Sequence, residues 1–148
     1  MDGAMTYGLS MERIIEDMRG LAAVHVMSRG GESPLELMMC EGRRALLERR
    51  VKDAFTECVA RLEVRAVDID IDSLTVGLAV GRGVRGSLHL LVGRALEQMV
   101  ASRAMSLWAS MAGMDDMGTD FEALASRWGR RLGIMLSGGG ATVRPAWG

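Results

Sequence analysis

Residues 73–112 read SLTVGLAVGRGVRGSLHLLVGRALEQMVASRAMSLWASMA. The first eight alternate apolar groups at Leu74, Val76, Leu78 and Val80, the two-residue period of a strand. Gly81–Gly86 then interrupts with glycine and arginine. From Ser87 to Ala112 the period becomes helical, with Leu88, Leu91, Val92, Ala95, Leu96, Met99, Val100, Met105, Leu107 and Trp108 spread over more than one face. Such wide apolar coverage suits a central helix, or one covered partly by a neighbouring subunit. A strand, a glycine turn and a long helix together point to a mainly helical domain with one small β element.

Upstream of residue 73, Val67-Asp68-Ile69-Asp70-Ile71-Asp72 also alternates, but in the opposite phase. The phase change marks a bulge or turn at Asp72-Ser73, so residues 67–80 fit either one bent strand or a minimal hairpin. A hairpin of this size is marginal alone and has to pack on helices or pair with another chain. Earlier still, Ser10 is a good N-cap for a helix over Met11–Ser28, whose stripe is Ile14, Ile15, Met18, Leu21, Ala22 and Val26. Ser33-Pro34-Leu35-Glu36 combines cap, first-turn proline and capping-box glutamate, and predicts a second helix reaching Leu62. Gly42 marks a kink or interruption in it. After a break at Gly113–Gly118, Thr119-Asp120-Phe121-Glu122 predicts a last helix over Thr119–Ser137, with Phe121, Leu124, Ala125, Trp128, Leu132, Met135 and Leu136 on its apolar side. The expected fold is a bundle of about four helices, with a strand or hairpin between the second and third long ones. A single domain spans residues 1–148, with 1–9 and 139–148 read as flexible tails.

The chain has 148 residues, 49% of them hydrophobic and 25% charged, which fits a folded domain with one core. A net charge of −1 gives no bulk attraction to nucleic acid or an anionic membrane. Of the 18 basic residues all but Lys52 are arginine. Arginine favours paired, bidentate contacts, although a GC-rich coding sequence produces the same skew. Arg94, Glu97 and Arg103 break the most apolar stretch and exclude it as a membrane span. Residues 1–9 lack the pattern of a secretion signal, which makes the cytoplasm the default compartment. Cys40 and Cys58, if on one helix, stand about 27 Å apart along its axis and are expected to be buried free thiols.

Motifs that carry chemistry fail one by one. Asp68, Asp70 and Asp72 begin like a calcium loop, but its required glycine and bidentate glutamate positions hold Ser73 and Ala79. Solvent-facing carboxylates on an alternating strand explain them better. Gly81-Arg82-Gly83-Val84-Arg85-Gly86 lacks the dinucleotide fingerprint and the Gly-Lys-Ser/Thr ending of a phosphate loop. Neither His25 nor His89 has partners at zinc-ligand or triad spacing. No catalytic residue, metal or cofactor is nominated. Candidate interface residues are Val76 and Leu78 on the strand, Arg82 and Arg85 in the loop, and Met111, Met114 and Met117 across the helix break.

From residue 45 on, the order Leu46-Leu47-Glu48-Arg49-Arg50 to Leu62, Ser73–Val80, Leu88–Trp108, Met114-Asp115-Asp116 and Phe121–Leu136 resembles small prophage-encoded virion proteins of Bacteroidales. Those in turn resemble head–tail connector proteins of long-tailed phages, which form rings beneath the portal. The resemblance implies a non-enzymatic structural role in which the partners are copies of the chain and portal or tail components. It also implies a place in the host cytoplasm and then the virion. The Gly/Arg loop and the tail depart from that order, so no interface residue is carried over. The rival reading is a small nucleic-acid-binding regulator using Arg82 and Arg85 with Arg127, Arg130 and Arg131. An enzyme built on Asp115, Asp116 and Asp120 ranks third, since these acids suit a helix start.

Overall fold

In a computed structural model the described residues are 3–29, 43–62, 65–81 and 87–137. They form β1 (Gly3–Gly8), α1 (Met11–Arg29), α2 (Arg44–Leu62), β2 (Ala66–Asp70), β3 (Thr75–Val80), α3 (Ser87–Met111) and α4 (Asp115–Leu136). The fold is mainly helical, with four helices and a three-stranded antiparallel sheet among the described residues. No described helix is long and apolar enough to cross a membrane.

Helix α3 is the axis of the molecule. From Val92 to Ala109 most side chains are buried, and α1, α2 and α4 pack around it. Its wide apolar coverage is therefore used mostly within the chain. Trp108, Leu96, Met99 and Met105 meet Phe55 and Leu47 of α2 and Ile14, Ile15 and Met18 of α1 in one core. Arginine–carboxylate bridges tie the outer faces of these helices together. Arg103 of α3 bonds Glu57 of α2 at 2.6 Å and Glu122 of α4 at 2.9 Å, and Arg61 of α2 bonds the same Glu122 at 2.7 Å. Arg44 of α2 pairs with Glu12 of α1. Part of the arginine bias thus has a structural use, because the forked guanidinium spans two carboxylates at once.

Residues 67–80 form a hairpin, the second of the two geometries the alternation allowed. Asp70 Oδ1 accepts the backbone N–H groups of Asp72 and Ser73 at 3.1 and 3.3 Å, a side-chain-capped turn at the predicted phase change. Leu74 closes it at φ 55°, a conformation a leucine tolerates here because its side chain is buried. A bulge between Val67 and Asp70, with Asp68 at φ 50°, reconciles the two opposite phases.

The sheet order β1-β3-β2 corrects two expectations. Residues 1–9 are not simply a tail: Gly3–Gly8 pairs along the whole length of β3, Tyr7 opposite Val76 and Met5 opposite Leu78. Tyr7 and Leu9 belong to the core. Only two apolar residues alternate in β1, and glycines flank it, so its sequence signal is too short to register as a strand. Consequently β3 does not lack a partner; it is the central strand, paired on both sides by its own chain.

At the helix ends, Ser10 caps α1 as its sequence predicts, its Oγ accepting Arg13 N–H at 3.2 Å. Helix α3 stops in a glycine motif: Gly113, at φ 78°, donates to Ser110 O, and Met114 donates to Ala109 O. Helix α4 then starts at Asp115 rather than at Thr119. Thr119 Oγ1 bonds back to Asp115 O at 3.0 Å inside the helix, while Asp115 and Asp116 place negative charge at the N-terminal turn. Gly118 is buried where α4 crosses α3; an added Cβ would stand 2.9 Å from Ser110 Oγ. The predicted start at Ser33 and the residue Cys40 lie outside the described residues.

Candidate interaction surfaces

Four of the candidate interface residues have changed standing. Val76 and Leu78 are fully buried, because the centre of the sheet presents its large side chains to the helices, and neither is an interface residue. Met114 and Met117 are half-buried against the core, which leaves Met111, 58% exposed, as the accessible methionine of that group. Arg82 and Arg85 lie outside the described residues.

Exposed apolar surface sits instead on the β2 hairpin. Val67, Ile69 and Ile71 are 41%, 50% and 39% exposed, between the exposed carboxylates of Asp68, Asp70 and Asp72. Strand β2 is an edge: β3 takes one side of it, and no described strand takes the other. The carboxylates are lightly compensated. Lys52 reaches Asp72 at 3.6 Å, with Asp72 almost fully in water, a geometry that contributes little. The acids are solvent-facing as the alternation predicts, and the apolar members between them are exposed as well.

A second surface is the outer side of α4. Arg127, Arg130 and Arg131 are exposed and form no ion pair among the described residues, and Ile134 beside them is 53% exposed. Spacings of three, four and seven residues put Arg127, Arg130, Arg131 and Ile134 on one side of the helix. Arg131 lies over the half-buried Trp128 ring, 5.0 Å from its centroid. A crevice of about 100 Å³ opens between Leu124, Arg127, Trp128 and Arg131.

A cleft of about 470 Å³ runs between β1 and the N-terminal half of α3. Met5, Tyr7, Leu90 and Gly93 line it, and Tyr7 Oη is hydrogen-bonded to His89 Nδ1 at 2.8 Å. Burial pushes the Tyr7 phenol up from its ordinary value, so it stays neutral. At one end lies Glu97, whose side chain is 1% exposed. It accepts from Ser10 N–H at 2.8 Å, from Arg13 Nε and Nη2 at 3.0 Å each, and from Arg94 Nη1 at 2.6 Å. Burial pushes the Glu97 carboxyl up, but the bonds from Arg13, Ser10 and Arg94 outweigh it and hold the carboxyl below its usual range. Arg94 also grips Asp17 with both nitrogens, at 3.1 and 3.2 Å. Both Glu97 oxygens are thus engaged in joining α1 and its N-cap to α3, which is a bracing role.

The remaining chemical groups are quiet. Cys58 is buried, and desolvation pushes its thiol up to about 12, far from a reactive thiolate. No group of three or more His, Cys, Asp or Glu among the described residues is arranged to hold a metal ion. No protein-family model, curated protein or solved structure matches the chain.

Proposed function

We propose that the protein is a non-catalytic structural component that works by self-association and contacts with other proteins. Its resemblance to prophage virion proteins makes a head–tail connector or tail-completion role the specific form of this reading. Portal or tail components would be the further partners, and the virion its final location. Neither β3, which is paired on both sides within the chain, nor the buried stretch of α3 offers a surface for this. What carries the reading is the β2 edge, where Val67 and Ile69 on the strand and Ile71 in the turn after it are exposed, and no described strand covers the side away from β3. Folded chains usually blunt or cover such an edge, and leaving three β-branched residues on it suits a surface that is covered on assembly. Leu90 and Leu91, 75% and 56% exposed at the start of α3, add apolar area elsewhere on the surface.

Replacing Ile69 and Ile71 by Ser tests this reading, because both are exposed in the single chain and neither belongs to its core. Light scattering is expected to show the wild type as an oligomer and the variant as 16.0 kDa monomers with an unchanged melting temperature. An oligomer that survives in the variant contradicts the role given to the hairpin. The regulator reading retains one supporting observation, the unpaired arginines of α4, and salt-dependent binding of duplex DNA would favour it.

A further inference from the structure

We infer that the acidic β2 hairpin of one copy docks on the basic outer side of α4 of another copy. This inference rests on the self-association reading and adds the two surfaces that meet.

Three observations select this occupant. First, the hairpin is poorly suited to pairing with itself. A second β2 would place Asp68, Asp70 and Asp72 against their own like charges, and the bulge at Asp68 interrupts the row of backbone groups needed for strand addition. Its partner therefore has to be basic and to bind through side chains. Second, such a surface exists on the same chain. Arg127, Arg130 and Arg131 are exposed, carry no carboxylate partner among the described residues, and flank apolar surface at Trp128 and Ile134. Third, the dimensions agree. Asp68, Asp70 and Asp72 lie within four residues of one another, a span of at most about 14 Å that the bulge at Asp68 and the turn at Asp72 shorten. Arginines three or four positions apart on a helix are spaced by about 5–6 Å. The flexible arginine stems cover the difference. The crevice of about 100 Å³ beside Trp128 is on the scale of one aliphatic side chain, and Ile69 and Ile71 are the exposed candidates to fill it.

Because the two surfaces differ, the contact carries acid on one copy to base on the next. Such a contact closes into a ring when the rotation between copies allows it, and otherwise continues as a chain. Opposite charges at its rim also make assembly salt-sensitive.

Charge reversal tests the pairing with the full chain. One variant carries Asp68→Lys and Asp72→Lys; the other carries Arg127→Glu, Arg130→Glu and Arg131→Glu, all on exposed positions of α4. Sedimentation velocity at low salt is expected to show an association constant reduced roughly tenfold or more in each variant alone. An equimolar mixture is expected to recover it, because the reversed hairpin of one variant then faces the reversed helix of the other. A wild type that self-associates but is unaffected by both reversals overturns the pairing while leaving self-association intact. A wild type that stays monomeric at every concentration overturns both. A wild-type monomer that co-sediments with duplex DNA through Arg127, Arg130 and Arg131 assigns the helix surface to nucleic acid and likewise overturns the pairing. If the hairpin variant fails to fold, the α4 variant mixed with wild type still decides, since the mixture has to associate more weakly than wild type alone.

Discussion

Replacing Glu97 by Gln keeps the side chain's shape and removes the charge on which α1, its N-cap Ser10 and α3 converge. The magnitude follows from what the carboxylate holds. Its bond from Ser10 N–H is at a buried carboxylate, and a bond to a charged group contributes about 1.5 kcal/mol or more. The arginines count for less, because Arg13 is 59% and Arg94 45% exposed and both can turn to water. Arg94 contributes at most about 1 kcal/mol after screening, and Arg13, lying in water, adds little. A loss of about 2 kcal/mol results, since the amide oxygen of Gln still accepts one of the bonds. For a chain of this length that lowers the melting temperature by roughly 4–8 °C. Because the folded carboxyl titrates below its ordinary range, its contribution is complete above the unfolded value near pH ~4.3 and fades as pH falls through the folded value. Urea unfolding of both proteins from pH 3 to pH 8 is the assay. The gap between them is expected to be constant above about pH 5 and to narrow in acid. A gap under about 0.5 kcal/mol at pH 7, or one that widens on acidification, would refute the bracing role.

Four other outcomes follow from the packing. Gly113→Ala is expected to cost about 1–2 kcal/mol in thermal unfolding through its φ of 78° alone, because open space surrounds the added methyl group. Gly81→Ala places a Cβ 2.8 Å from the Ser137 carbonyl carbon and forces backbone apart, with an expected loss of about 1–3 kcal/mol by the same measurement. Deleting residues 1–8 strips β1 from β3 and bares Val76 and Leu78, so the truncated chain is expected to bind a hydrophobic dye and melt with lost cooperativity. With Cys40→Ser, the remaining thiol of Cys58 is expected to resist a disulfide reagent until the protein unfolds, so that labelling tracks the unfolding rate.

The helices were legible where the apolar period was long and the cap was made by a side chain. Ser10 and the stripe at Ile14, Ile15 and Met18 illustrate this, as does the burial of α3 from Val92 to Ala109. The α4 start was misplaced because a Thr-x-x-Glu pattern also fits inside a helix, where Thr119 bonds back to Asp115. Strand β1 was missed because its identity lies in its pairing with β3, some seventy residues downstream, and not in its own six residues. That omission had a consequence for the site. With β1 unseen, Val76 and Leu78 looked available for a partner, whereas the true exposed strand is β2. The alternation of Asp68, Asp70 and Asp72 was correctly read as solvent-facing. The exposure of Ile69 was not, because it follows from the place of β2 at the sheet edge, where Val67 to Asp70 are all exposed. Arg127, Arg130 and Arg131 were legible as a patch from helical spacing alone.

The most direct measurement is the mass of the wild-type chain across a concentration series at low and high salt, by sedimentation equilibrium. The structure leads us to expect a mass that climbs above 16.0 kDa with concentration and falls back as salt screens the hairpin from the α4 arginines. A mass of 16.0 kDa at every concentration and salt would contradict the assembly role and the hairpin–helix contact together.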